Sequence, residues 1–276
     1  MLTPITVNTL APNPPPPVVL AISGHDPCGG AGIQADIEAL ASLGCHTAPV
    51  VSAVTVQDTQ TVHGYMALDP ILIVQQARAV LEDLPVAAVK IGMLGSVGAA
   101  QAVHTLLRDY ADLPVVLDPV LAAGAGGALA PDGLREALIA LLLPLTTVLT
   151  PNSHEARALA PEGDTLDACA MALLEHGCAF VLITGTHEPG AQVINRLYGE
   201  HRILDTTAWE RLAGSYHGSG CTLAAAIAGL LAQGCEPRTA VREAQRYTWE
   251  TLRHGYRLGS GQSLPRRLYW SDRGRR

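Results

Sequence analysis

The sequence predicts an α/β domain whose mostly parallel sheet is covered by helices on both faces. Three observations carry this. From Val18 onward, short apolar runs rich in Val, Ile and Leu alternate with amphipathic stretches, the pattern of strands buried on both sides and joined by helices. Hydrophobic residues make up 48% of the 276-residue chain against 16% charged, enough for a sizeable core. No repeat or linker interrupts residues 18–276, so they read as one domain.

The apolar runs place strands at 18–23, 48–56, 86–92, 115–117, 147–150 and 179–184, with helices at 31–43, 70–83, 96–109, 132–143, 153–160 and 165–176. Asp69 and Pro70 supply an N-cap and a first-turn proline; Ser96 and Thr165 can cap, and Gly44 and Gly177 can close. Residues 191–197 and 201–204 flank Tyr198-Gly199-Glu200 and read as an antiparallel hairpin at the sheet edge. Leu223, Ile227, Leu230 and Leu231 fall on one helical face ended by Gly234, and a last helix runs over 237–254. Residues 1–17 carry Pro4, Pro12 and Pro14 to Pro17 without a basic start, so they read as an extended, disordered segment with no targeting signal.

Composition narrows the function classes. A net charge of −7 argues against a general nucleic-acid surface, and the longest apolar runs are too short to span a bilayer. Six cysteines without a CxxC pair or zinc-ligand spacing read as reduced thiols of a cytoplasmic protein. Lys90 is the only lysine, and nothing matches G-x-x-x-x-G-K-[ST]. Phosphate chemistry here therefore rests on metal ions, backbone amides or arginine.

Chemistry-bearing residues gather where the strands end: Ser23-Gly24-His25-Asp26, Gln57-Asp58, Gly92-Met93, Asp118-Pro119, Pro151-Asn152 with Glu155, and Thr184-Gly185-Thr186-His187. Open α/β sheets bind ligands outside the carboxyl ends of their strands. Asp118 and Glu155 could hold Mg²⁺, or each could serve as a turn or capping residue. His217-Gly218-Ser219-Gly220-Cys221 precedes the 222–232 helix and has two readings. It is an anion cradle of unpaired amides with a thiol whose pKa the helix field lowers, or it is a glycine-rich cap with a buried cysteine. Gly30-Ala31-Gly32-Ile33-Gln34-Ala35 fits a dinucleotide fingerprint, but residues 24–29 intervene after the strand and Asp58 lies beyond the usual ~20-residue spacing.

Taken in order, the 23–36 segment, Lys90-Ile-Gly-Met-Leu94, Leu117-Asp-Pro-Val120, Thr150-Pro-Asn152 with Glu155, and His217-Gly-Ser-Gly-Cys-Thr222 resemble the hydroxymethylpyrimidine/phosphomethylpyrimidine kinases of the ribokinase-like superfamily. The resemblance implies a three-layer α/β/α sandwich, usually dimeric, that uses ATP and Mg²⁺ to phosphorylate 4-amino-5-hydroxymethyl-2-methylpyrimidine and then its monophosphate. It implies Cys221 as base, with Gly218, Ser219 and Gly220 receiving the developing charge, and Gly24, Ala31, Asp36, Gln57 and Met93 at the pyrimidine. Met93 could equally fill core. Asn152, Thr184 and Gly185 fall at the nucleotide phosphates, and Asp118 and Glu155 at the metal. The family's frequent lysine after the sixth strand is here Thr184, and Cys28 stands where serine is usual. The 259–261 loop is a candidate wall for the adenine. A pyridoxal or pyridoxine kinase, and a non-catalytic pyrimidine-binding protein on the same scaffold, are the rival readings.

Overall fold

The computed structural model describes residues 14–121 and 130–274. Residues 1–13 of the expected extended segment, and the C-terminal Arg275 and Arg276, lie outside them. Among the described residues, no helix is long and apolar enough to cross a membrane.

The elements run β1 (Val18–His25), α1 (Gly32–Ser42), β2 (His46–Gln57), β3 (Val62–Ala67), α2 (Pro70–Leu81), β4 (Val86–Ile91), α3 (Val97–Asp109) and β5 (Val115–Leu117). They continue with α4 (Leu134–Ala137), β6 (Val148–Leu149), α5 (Ser153–Leu159), α6 (Leu166–Glu175), β7 (Phe180–Ile183), β8 (Gln192–Gly199), β9 (Arg202–Glu210), α7 (Ser219–Ala232) and α8 (Pro237–Arg253). The strands form one sheet in the order β3-β2-β1-β4-β5-β6-β7-β8-β9. Pairings from β2 through β7 are parallel; β3, β8 and β9 join antiparallel at the two edges.

The two-residue period of a strand divides the core. Val18, Leu20, Ile22, Val89, Ile91, Val115 and Leu117 pack toward α2, α3 and α6. Val19, Ala88 and Val116 point the other way, onto α1, α7 and α8. Lys90 shares the parity of Ala88 and so lies on the α1/α7 side. Helix α7 is apolar on nearly every face and buried from Thr222 to Gly229, as a helix held between sheet and neighbours should be. Gly234 follows it at φ 84, the left-handed residue expected after the helix end.

Three elements depart from the sequence reading. The edge strand β3 was not anticipated, because Val62-His-Gly-Tyr-Met-Ala67 is short and interrupted by glycine. The β8–β9 hairpin is longer than expected and turns at Glu200 and His201, both left-handed at φ 51 and 54. Two such residues make the tight turn that matches strand twist. Gly199 instead stays in the strand, where a Cβ would press Leu204 and Phe180. The expected helix over 132–143 is a single α-turn followed by a π segment, Leu138–Leu142, and a 3₁₀ turn, Leu143–Leu145. Pro144 there has no N–H to continue an α-helix.

Strand β1 lies between β2 and β4, so successive strands leave it in opposite directions. Such a switch point opens a crevice at the carboxyl ends of the strands.

Candidate active site

A cavity of about 610 Å³ opens over that switch point, a volume suited to a small ligand plus a nucleotide. Ser23 and Gly24 reach it from β1, Met93 from the end of β4, Asp118 from β5, Thr184 from β7, and the 217–221 turn from α7.

The turn is built around Gly218. It caps α7 at φ 81, and a Cβ there would lie 1.9 Å from the Gly30 carbonyl oxygen, so only glycine fits. The first backbone N–H bonded inside α7 is that of Thr222, to the Gly218 carbonyl at 3.0 Å. The N–H groups of residues 218–221 precede it on the cavity wall, where the helix field favours negative charge. Arg267, 2% exposed, locks this turn from behind: its guanidinium donates to Thr222 Oγ1 at 2.9 Å, to Glu38 at 3.0 Å and to the Gly30 carbonyl.

Cys221 lines the cavity, but its thiol is not the readily ionised group the sequence suggested. Burial pushes it up to about 12; the Lys90 cation opposes that shift, the Asp118 and Asp36 carboxyls reinforce it, and a hydrogen bond from the Gly32 N–H opposes it. Burial is the largest influence on it.

Asp36 also departs from expectation. It is fully buried and absent from the cavity wall, with its carboxylate 2.9 Å from Lys90 Nζ. Lys90 is itself fully buried, and its ammonium also reaches Ser23 Oγ at 3.4 Å. A Cβ on Gly92 would come within 2.6 Å of that ammonium, so glycine leaves it room. The strand's parity explains the pair: β4 sends Lys90 toward α1, and Asp36 is the carboxylate α1 offers. Although burial alone would lower the Lys90 pKa, the Asp36, Cys221 and Asp118 charges raise it.

Asp118 and Glu155 both line the cavity. Burial raises the pKa of each, and the charge of Asp118 raises Glu155 further. A carboxyl pair that repels itself in a buried cleft fits a divalent cation, whose charge would hold both ionised. Glu155 is also a capping residue: its Oε2 accepts the Asn152 N–H at 2.9 Å while Asn152 Oδ1 accepts the Glu155 N–H at 3.0 Å.

Gly24, Ala31, Gln57 and Met93 line one end of the cavity together. A hydrogen-bond relay fixes the Gln57 amide. Thr55 Oγ1 donates to the His25 carbonyl at 2.9 Å and accepts from Gln57 Nε2 at 2.7 Å. Gln57 Oε1 is thereby left for a ligand donor. Met93 is both core and wall, being 7% exposed, packed with Ala53, and close to the Gly24 position.

At the other end Asn152 and Thr184 line the cavity, but Gly185 does not. Gly185 is held against β8, donating its N–H to Asn195 Oδ1 at 3.0 Å; a Cβ would strike the Ile194 carbonyl at 2.2 Å. Nor does the 259–261 loop wall the cavity: it docks on the β2–β3 turn, where a Gly261 Cβ would lie 2.0 Å from the Thr59 carbonyl, and only Gln262 reaches the wall.

Sequence reasoning missed the apolar end. Trp209 and Trp249 stack with ring centroids 5.9 Å apart and line the cavity with Val193, Leu212 and Leu252. Thr248 Oγ1, also on this wall, is buried without a hydrogen-bond partner. Two of only three tryptophans meeting here was the available signal, but β9 and α8 are too distant in sequence to reveal it. Arg211 was missed too. Among the described residues it is the only arginine or lysine on the cavity wall, tied to the carbonyls of Thr186, Glu188 and Gly190 at 2.7–2.8 Å.

The chain is similar to proteins already known. Residues 26–265 match the family model described as phosphomethylpyrimidine kinase. A hydroxymethylpyrimidine/phosphomethylpyrimidine kinase of Streptomyces coelicolor is 39% identical over 259 residues, covering 91% of this chain and 95% of the relative. Among solved structures, phosphomethylpyrimidine kinase from Clostridium difficile is 33% identical with a TM-score of 0.74, covering 85% of this chain and 99% of its own. An ADP complex of Bacillus subtilis pyridoxal kinase superposes with a TM-score of 0.84 at 26% identity, covering 93% and 99%. The order of strand-end motifs, the cavity they enclose and these matches agree: the chain belongs to the phosphomethylpyrimidine kinase family.

Proposed function

We propose that this protein transfers phosphate from ATP to the hydroxymethyl group of 4-amino-5-hydroxymethyl-2-methylpyrimidine, and then to its monophosphate, in thiamine biosynthesis. The carrying observation is one cavity with a hydrogen-bonding pyrimidine end, an apolar end, and the amides and thiol of the 218–221 turn between them. Gln57 Oε1 accepts from the 4-amino group, while Met93 packs on the ring. The stacked tryptophans, Val193 and Leu252 take the adenine, and Thr248 Oγ1 supplies a polar contact to it. Asn152 and Thr184 bind the phosphates, with Arg211 contributing positive charge where Thr184 has none.

Asp118 and Glu155 would hold Mg²⁺, directly or through water. When bound, that ion neutralises charge on the phosphates and orients them. Cys221 accepts the hydroxymethyl proton as the oxygen attacks phosphorus, and the 218–221 amides hold the transferring oxygens. Because burial keeps the thiol protonated in the free cavity, its own proton must first pass to solvent, and only the resulting thiolate takes the hydroxymethyl proton. A loose transition state asks little more of the base.

Incubation with ATP, Mg²⁺ and hydroxymethylpyrimidine should give mono- and diphosphate products by mass, with kcat/KM above that for pyridoxal. A higher value for pyridoxal would reassign the substrate; pyrimidine binding without turnover would support a non-catalytic role.

The protein acts as a homodimer in the cytoplasm. Val54, Val56 and Met66 lie exposed on one face of β2 and β3, Val54 directly opposite Met66, and Val56 and Met66 are 63% and 65% exposed. An apolar face at a sheet edge calls for cover, and a second copy supplies it. Light scattering should show a dimer, and Val56→Asp with Met66→Asp a folded monomer. An unchanged mass in that variant would place the interface elsewhere.

A further inference from the structure

Asp26, Cys28 and His217 bring a carboxylate, a thiol and an imidazole together beside the cavity, with one ligand atom from each within 4.8 Å of the others. We propose that they form a binding site for a thiophilic divalent cation of the Zn²⁺ class, distinct from the carboxylate pair Asp118 and Glu155. Asp26 Oδ2 lies 2.9 Å from His217 Nε2 and 3.3 Å from Cys28 Sγ. A tetrahedral ion with bonds of about 2.0–2.3 Å spaces its ligands roughly 3.3–3.6 Å apart; the two spacings to Asp26 are close to that, and Cys28 Sγ and His217 Nε2 lie within 4.8 Å of each other.

The surroundings hold the ligands as a metal site requires. The Cys28 N–H donates to Asp26 Oδ1 at 3.0 Å and the Ala31 N–H to Oδ2 at 2.7 Å, which fixes the carboxylate. These bonds, with those from His217 and Cys28, outweigh burial and hold Asp26 ionised, near a pKa of 2. The His217 backbone is fixed separately, by its N–H bond to the Ser263 carbonyl at 2.9 Å. Gly29, at φ 76, has open space where a Cβ would stand, so nothing crowds the loop beside Cys28.

Binding replaces the S–H bond with a metal–sulfur bond and releases that proton to solvent. In the bound state His217 ligates through Nε2 and carries its proton on Nδ1. Thiolate and imidazole favour Zn²⁺ or Co²⁺ over Mg²⁺, which prefers oxygen ligands. Once bound, the ion would clasp the turn after β1 to the turn before α7, both of which line the cavity.

The test is titration of the full-length protein with Co²⁺ followed by Zn²⁺ competition. The wild type should develop a thiolate-to-cobalt charge-transfer band saturating at one ion per chain, with the thiol proton released as Co²⁺ binds, and should lose the band without further proton release when Zn²⁺ displaces Co²⁺. Cys28→Ser should lose the band and weaken Zn²⁺ binding by at least about 10–100-fold, the loss that even outer-partner removal causes, with kinase turnover unchanged. Cys221→Ala, which removes the cavity thiol, should keep the band. No band in the wild type, a band surviving Cys28→Ser, or one lost in Cys221→Ala would overturn the site. Because metal binding is read without substrate, its failure and failure of the kinase assay are separate results.

Discussion

Cys221→Ala lowers kcat by about 10²–10⁴-fold, the usual contribution of a positioned base, and leaves the dissociation constant for the pyrimidine nearly unchanged. The separation follows from where the sulfur sits. Gln57 and Met93 make the ring contacts at one end of the cavity, whereas Cys221 belongs to the first turn of α7 beside Asp118. With the thiol near 12 in the free cavity, any pre-formed thiolate is scarce at neutral pH, and general-base efficiency is greatest when the base titrates near the working pH. The loss should therefore fall toward the lower end of that range. Single-turnover kinetics with calorimetric measurement of pyrimidine binding checks it. Turnover within twofold of wild type would remove the thiol from the chemistry and leave the 218–221 amides and the metal-binding carboxylates to carry it.

The sequence foretold the parallel core and the residues at its strand ends, because both depend on local signals. Buried strands are continuous apolar runs, and the Asp69 and Thr165 caps sit where expected, accepting from Ile71 and Ala168. The register of the site was less legible. Asp36 reads as a polar residue next to a glycine-rich loop, but which way it faces depends on α1 meeting Lys90 across the sheet. Gly185 likewise looks like part of a phosphate loop until β8 is seen against it. The apolar end of the cavity needs β9 and α8 side by side, a contact between distant segments that periodicity cannot report. The Cys221 ionisation failed for another reason. The helix-terminus argument gave the right direction for one effect but no measure of burial, which is the largest influence on the thiol.

Lys90→Met destabilises the fold by about 3–5 kcal/mol, the range for stripping one partner from a buried ion pair, and the deficit grows with pH. Lys90 is the principal group holding down the Asp36 pKa, which burial already raises above its ordinary value of 3.8. Without the ammonium, the folded pKa of Asp36 rises further above its unfolded value. A carboxyl shifted in that direction favours the folded state while protonated in both states, and that contribution is lost as pH rises through the folded pKa. The slope approaches about 1.4 kcal/mol per pH unit. Urea unfolding should thus show a smaller deficit at pH 5 than at pH 8, where the wild-type pair is intact. Adding Asp36→Asn removes the stranded charge and should flatten the dependence while recovering part of the stability. Equal deficits at both pH values would mean that Asp36 is not the group left unbalanced. The same variant separates stability from chemistry: Lys90 lies behind Ser23 and outside the cavity wall, so pyrimidine affinity at a pH where the variant is folded should change far less than its unfolding midpoint.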